Sequence, residues 1–187
     1  MDAAELPVFK YHPDPVRSGS VRESQDKCKA CGKARGYIYT GPVYSEDELN
    51  DALCPWCIAD GSAHEKFDAE FVDCEAFPGD VPQEVMEEIM FRTPGFNAWQ
   101  SEQWFTCCGQ AMAFAEPAGI KDIRQRYYEL EGTLMTYIVQ EMEISGGAAR
   151  RMLESLDRDA GPTAYVFQCL GCGVNRAYID GIFDVEA

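Results

Sequence analysis

Three observations predict an α+β fold of short strands, zinc-ribbon-like cysteine knuckles and several helices. Two C-x-x-C pairs, Cys28/Cys31 and Cys54/Cys57, stand 22 residues apart. Runs rich in strand formers adjoin cysteines at residues 36–40, 164–170 and 176–183. Between them lie segments with apolar residues at helical spacing. Strands gathered at the cysteines, with helices separating them, suit α+β better than a parallel sheet.

Each element has its own cue. Residues 1–27 are polar and broken by Pro13 and Pro15, and read as an extended N-terminal arm. Residues 28–187 read as one compact α+β domain with two knuckle regions, 28–61 and 105–183. Gly36-Tyr37-Ile38-Tyr39-Thr40 has strand composition and ends at Gly41-Pro42. Ser45-Glu46-Asp47-Glu48 has the capping-box pattern before Leu49 and Leu53, which predicts a short helix leading into the second cysteine pair. Residues 61–80 read as loop with irregular strand. Pro82 opens a predicted helix through Phe91, with Val85/Ile89 and Met86/Met90 at i,i+4, and Thr93-Pro94-Gly95 stops it. Further helices fit 120–130, 134–143 and 148–156, punctuated by Gly146-Gly147 and Gly161-Pro162. Strands fit 164–170 and 176–183.

The cysteines carry the chemistry. Met1 to Pro7 shows no basic segment followed by an apolar run, and no stretch of about 18 apolar residues exists. The expected address is therefore the cytoplasm. There thiols stay reduced, and cysteine pairs hold metal more often than they form disulfides. Zinc takes four tetrahedral ligands, and a C-x-x-C turn points two thiolates inward from one loop. Gly32 lets the chain turn back towards the sulfurs. One structural zinc is expected on Cys28, Cys31, Cys54 and Cys57. Cys54-Pro55-Trp56-Cys57 alone would read as a redox motif, but the βαβ context such a motif needs is missing.

An internal repeat extends this reading. Cys28-x-x-Cys31-Gly32-x-x-Arg35-Gly36-Tyr37-Ile38 matches Cys169-x-x-Cys172-Gly173-x-x-Arg176-Ala177-Tyr178-Ile179. Each is a knuckle followed by a strand. Partners for the second pair come from Cys107-Cys108-Gly109, which gives a second candidate set, Cys107, Cys108, Cys169 and Cys172. Adjacent side chains diverge, so either the backbone is distorted there or one of Cys107 and Cys108 is packed or free. Cys74 has no mate and is expected to be a buried apolar thiol. His12 and His64, the two histidines of the chain, fall outside both ligand sets.

Formal net charge is −16 over 187 residues, and it is uneven. Residues 37–91 hold 14 acidic side chains against Lys66 alone, a local charge of −13. Such a field repels phosphates and attracts a basic partner. The cations Arg17, Arg22, Lys27, Lys29, Lys33 and Arg35 sit in the first 36 residues. A zinc site closed by four cysteines has no open position for water. A catalytic cysteine wants a histidine base, and only two histidines could supply one. Walker, G-x-S-x-G and H-E-x-x-H patterns are absent. The chain is therefore expected to be no enzyme. Trp56, Trp99, Trp104, Phe91, Phe96 and Phe105 are read as core, and membrane association is not expected.

Several long blocks resemble the CbrC family. They are Leu6-Pro7-Val8-Phe9-Lys10-Tyr11-His12-Pro13, the first knuckle with residues 36–42, and Leu53-Cys54-Pro55-Trp56-Cys57-Ile58-Ala59-Asp60-Gly61. Residues 91–96, Trp99-Gln100 and the closing block 164–173 complete them, so the likeness runs nearly end to end. One departure is that the family shows a His-Cys pair and then a further cysteine near Cys107. Here Cys107 takes the histidine position and the later cysteine is missing. The family is largely uncharacterised bacterial protein, with some members linked to tolerance of a DNase colicin. The resemblance implies an immunity-type role against a nuclease toxin. Charge agrees, because a nuclease holds phosphates in a basic cleft. The acidic residues expected to meet that partner are Glu46, Asp47, Glu48, Asp68, Glu70, Asp73, Glu75, Glu84, Glu87 and Glu88. The alternative is a zinc-ribbon regulator that binds nucleic acid or a transcription component.

Overall fold

The computed structural model describes residues 5–79 and 81–183. In chain order the elements are β1 (Val21–Ser24), β2 (Gly36–Tyr39), α1 (Pro55–Ala59), α2 (Ser62–Phe67), α3 (Gln83–Arg92), β3 (Thr106–Cys107), β4 (Gln110–Ala111), β5 (Ala113–Ala118), α4 (Ile120–Arg126), α5 (Leu130–Gln140), α6 (Gly146–Glu154), β6 (Thr163–Gln168) and β7 (Asn175–Asp180). Every sheet is antiparallel: β1 with β2, β3 with β4, and β5-β6-β7 in that order. This is the expected α+β class.

The three-stranded sheet is the frame. Side chains of a strand alternate between faces, and here both faces are covered. Ala164, Val166, Ala177 and Ile179 pack on Leu130, Leu134 and Ile138 of α5 and on Ala149, Met152 and Leu153 of α6. Phe114, Tyr165, Phe167 and Tyr178 point the other way, into an aromatic cluster with Tyr11, Phe96 and Trp104. Phe96 stacks on Phe114 at 3.9 Å, and Trp104 meets Phe167 edge-on at 5.3 Å. Burial on both faces explains the weak alternation in residues 164–170, because a strand covered twice has no polar side. A third cluster joins Phe9, Val21, Tyr39, Leu49, Leu53, Ile58 and Phe71 to Cys28, Cys54 and Cys57.

Five local expectations are corrected. The N-terminal arm is not free. Phe9, Tyr11 and His12 are buried, and β1 pairs with β2 through Val21↔Tyr39 to Ser24↔Gly36. The capping-box helix after Ser45 does not form. A helix here would bond the Ala52 amide to the Glu48 carbonyl; instead the Lys29 ammonium donates to Glu48 and the Ala52 amide turns to Leu49 at 3.1 Å. The Ser45 hydroxyl accepts from the Asp47 amide in a turn, and Asp51 sits at φ 50°, outside any helix. Within 61–80, a helix (α2) occupies what read as loop. Cys74 is exposed, because a one-turn 3-10 helix, Cys74–Ala76, buries Ala76 instead. Of the aromatics read as core, Trp99 is 52% exposed, whereas Phe96 and Trp104 are buried.

Candidate metal centres

The two halves of the sequence repeat fold alike. The Cys28 amide donates to the Lys33 carbonyl at 3.0 Å, and the Gly32 amide to the Cys28 carbonyl at 2.7 Å. In the second copy the Cys169 amide donates to Val174 at 2.8 Å, and Gly173 to Cys169 at 2.9 Å. Both glycines have positive φ, 70° at Gly32 and 75° at Gly173, where a side chain would be strained. Each loop is thus a closed knuckle delivering two thiols, and each runs into a strand, β2 or β7.

The first knuckle meets the start of α1. Cys54 is the N-cap residue, Pro55 opens the helix, and Cys57 follows one turn later. The four sulfurs of Cys28, Cys31, Cys54 and Cys57 all lie within 4.8 Å of one another. Cys31 and Cys54 Sγ are 3.9 Å apart, and Cys54 and Cys57 Sγ 3.6 Å. Four thiolates at about 2.3 Å from a tetrahedral zinc stand about 3.8 Å from each other. A disulfide would need about 2.05 Å. The spacing therefore fits one zinc ion and not a covalent bridge. The Cys54 amide points at Cys28 Sγ at 3.3 Å, the kind of N–H···S contact that steadies a thiolate ligand. Lys66 Nζ donates to the carbonyls of Lys29 and Ala30 at 3.1 Å, which pins the knuckle and brings a cation to an anionic site.

The second knuckle meets the β3–β4 hairpin. Cys108 and Gly109 form its two-residue turn with φ 51° and 71°, the pair of positive values that a type I′ turn requires. This is the backbone distortion that adjacent cysteines need. It turns both side chains to one side, so Cys107 and Cys108 Sγ approach to 3.8 Å, and Cys107 and Cys172 Sγ to 3.7 Å. Cys107, Cys108, Cys169 and Cys172 form the second group within 4.8 Å, with neither adjacent cysteine left over. The amides of Gly171 and Cys172 point at Cys169 Sγ at 3.4 and 3.5 Å.

Electrostatics give each cluster one favoured thiolate. The hydrogen bond from Cys54, helped by backbone amides, lowers Cys28 to about 4, and the amides of Cys172 and Gly171 help bring Cys169 down to about 6. The neighbours go the other way: burial raises Cys57 to about 11, and the contact with Cys169 raises Cys107 to about 12. A second anion beside the first is costly until a cation arrives, so metal binding must release protons. The two sites differ in exposure. Cys28, Cys54 and Cys57 are buried in an apolar cluster, whereas Cys108 and Cys172 are exposed.

Neither histidine joins a cluster. His12 Nδ1 contacts the Pro94 carbonyl at 2.6 Å, and the His64 ring stacks on Phe91 at 3.9 Å. Of the acidic residues expected at a partner surface, Glu46, Asp47, Glu48, Asp68, Glu75, Glu84, Glu87 and Glu88 are exposed, and Glu70 and Asp73 are half-buried. Glu84, Glu87 and Glu88 of α3 line one concavity of about 310 Å³ together with Glu65 of α2, which the sequence reading passed over, and with Arg92 as the one arginine against these four carboxylates. No helix among the described residues is long and apolar enough to cross a membrane.

A family model described as an uncharacterised protein family, UPF0167, matches residues 6–181. UPF0167 protein Mb2317 of Mycobacterium bovis is 46% identical over 177 residues, covering 94% of each chain. UPF0167 protein MT2352 of Mycobacterium tuberculosis matches to the same extent. UPF0167 protein PA1536 of Pseudomonas aeruginosa is 39% identical over 178 residues, covering 90% of this chain and 93% of its own. No solved structure matches the chain. The end-to-end match in sequence places this two-centre cysteine protein in the UPF0167 family.

Proposed function

We propose that this protein is a cytoplasmic immunity protein that neutralises a basic nuclease, with its zinc centres as scaffold and its acidic face as the contact. The observation that carries the reading is the convergence of Glu65, Glu84, Glu87 and Glu88 on one concavity within a segment of charge −13. A concave wall of carboxylates mimics the phosphates that a nuclease cleft is built to hold, and it speeds encounter with a basic partner. The likeness to the CbrC family supplies the partner class. Its test is stopped-flow association of the zinc-loaded chain with a colicin-type DNase domain at low and moderate salt. Replacing Glu84, Glu87 and Glu88 by Lys should slow association by about tenfold or more and flatten its salt dependence. Unchanged kinetics in that variant would remove the acidic face from the interface.

A second reading has its own observation. Lys27, Lys29 and Lys33 are exposed around the first knuckle, and the Arg35 guanidinium lies 4.9 Å from the centre of the half-buried Trp56 ring. Cations beside an aromatic platform suit a single-stranded nucleic acid. A gel shift at low salt that disappears in a Lys29→Glu/Lys33→Glu variant would favour this regulator over the immunity protein.

A further inference from the structure

Scarcity of histidine is one of the three grounds on which no enzyme is expected. One of the two histidines nevertheless holds a serine at the edge of a cleft. His12 is fully buried beneath the turn that carries Ser18. Its Nδ1 lies 2.6 Å from the Pro94 carbonyl oxygen and its Nε2 lies 2.7 Å from Ser18 Oγ. A carbonyl can only accept, so Nδ1 carries the proton of the neutral ring. Nε2 is then the acceptor, and the Ser18 hydroxyl must donate to it. Burial holds the imidazole neutral, lowering it to about 4. Two other acceptors are in reach, the Pro15 carbonyl at 3.1 Å and Ser20 Oγ at 3.3 Å, but the shortest contact takes the proton, and the oxygen itself accepts from the Ser20 amide at 3.4 Å. This is a nucleophile bonded to a base that a third group orients.

The surroundings suit a ligand. Ser18 is half-buried and borders a cleft of about 410 Å³, within the range of small-molecule sites. Trp99, 52% exposed, forms one wall, and its indole N–H is fixed on Thr163 Oγ1 at 2.9 Å. Arg158 is the one cation among the lining residues. That guanidinium is already engaged by Glu116 and the Arg17 carbonyl, so it is the fixed aromatic wall that favours a small, uncharged aromatic ester.

We infer that Ser18 is a nucleophile activated by His12, and that the cleft hydrolyses a small aromatic carboxylic ester. Ser18 Oγ attacks the carbonyl carbon as its proton passes to His12 Nε2. The ester C–O bond then breaks, and the same proton leaves on the departing alcohol. Water attacks the acyl-serine, giving its proton to Nε2, and the carboxylic acid is released with Ser18 restored. The step consumes one water and needs no oxidant or metal. It is independent of the proposed nuclease contact, which lies on α2 and α3.

The test is covalent labelling of the full zinc-loaded chain with a fluorophosphonate, in which a Ser–O–P bond forms and fluoride leaves. One adduct mapped by mass spectrometry to Ser18 is expected. It should be lost in Ser18→Ala, kept when the exposed Ser145 is replaced (Ser145→Ala), and formed at least a hundredfold more slowly in His12→Asn. Hydrolysis of p-nitrophenyl butyrate should fall at least a hundredfold in Ser18→Ala. Absence of a Ser18 adduct on the native chain, with a known serine hydrolase labelled in parallel, would overturn the inference whatever the variants do. Ester hydrolysis that is undetectable, or equal in native and Ser18→Ala chains, would overturn it as well.

Discussion

Glu102 carries a carboxyl group in a residue only 8% exposed, with one oxygen unpartnered among the described residues. Its other oxygen accepts from the Asp73 amide at 3.2 Å and the Tyr44 hydroxyl at 3.5 Å. Burial raises this carboxyl from 4.5 to about 7, reinforced by the nearby Asp73 charge and opposed by the Asp73 amide. The folded state therefore binds the proton more tightly than the unfolded chain. The stability this provides is complete below about 4.5 and is lost as pH rises through about 7, at a cost on the order of 3 kcal/mol. Glu102→Gln keeps the shape and cannot ionise. Urea unfolding should show the native chain losing stability relative to the variant between pH 4.5 and 7.5. Parallel stability curves over that window would mean that the carboxyl titrates normally.

At the scale of elements, the knuckles are the most local structures in the chain, which is why spacing alone located them. A C-x-x-C-G turn closes on its own amides, so Cys28 to Lys33 and Cys169 to Val174 need nothing distant to take shape. Elements defined by distant partners left little trace. β5 includes Pro117 and shows no alternation, because its Phe114 and Ala118 face different clusters and its strand pairing comes from β6, 46 or more residues away. Pro117 is tolerated since β5 is an edge strand. Leu49 and Leu53 sit at helical spacing, yet Lys29 of the first knuckle takes the Glu48 carbonyl that a helix would need. The acidic concavity was legible only in part. The α3 carboxylates stood out as a run, but Glu65 arrives from a helix hidden in apparent loop. Ser18 and His12 are only six residues apart, but the Pro94 carbonyl that orients the ring between them lies 82 residues away and left no trace in the sequence. The same contrast between buried and exposed knuckles makes a prediction. Cys31→Ser and Cys172→Ser should each lose one zinc equivalent by elemental analysis. The first should also cost about 4 kcal/mol of stability, since its centre is part of an apolar cluster, and the second less than half of that. Two full equivalents retained by Cys31→Ser would refute the ligand assignment.

Across the whole molecule, the N-terminal segment is the tie between regions that share little sequence proximity. Phe9 and Val21 enter the cluster around the first metal centre, and Tyr11 enters the aromatic cluster. Arg17 then reaches the fully buried Glu116 of β5. Arg126 from α4 contacts the same carboxylate at 2.9 Å, Arg158 contacts it at 3.2 Å, and the Tyr127 hydroxyl donates to it at 2.6 Å. Arg158 also donates to the Arg17 carbonyl, so segments 17, 116–127 and 158 converge on one anion. Burial alone would raise this carboxyl, but the hydrogen bonds from Arg17 and Tyr127 and the positive charge of Arg17 and Arg126 win and hold it below the usual range. A depressed folded value means that the stabilisation is present above the ordinary carboxylate range and is lost as pH falls through the folded value. Glu116→Ala would leave three cations crowded around an empty position. The arginines keep part of their solvent, with side chains 49%, 39% and 28% exposed, so the cost falls near the low end for a broken buried pair, about 3 kcal/mol. Urea unfolding at pH 7 should show that loss, and the native chain's extra stability should shrink as pH is lowered from 5 to 3. Because the same anion holds the N-terminal segment against the sheet, hydrogen exchange in Glu116→Ala should accelerate in residues 9–24 as well as in β5. Acceleration confined to β5 would show that the apolar anchors Phe9, Tyr11 and Val21 hold the segment without the arginine bridge.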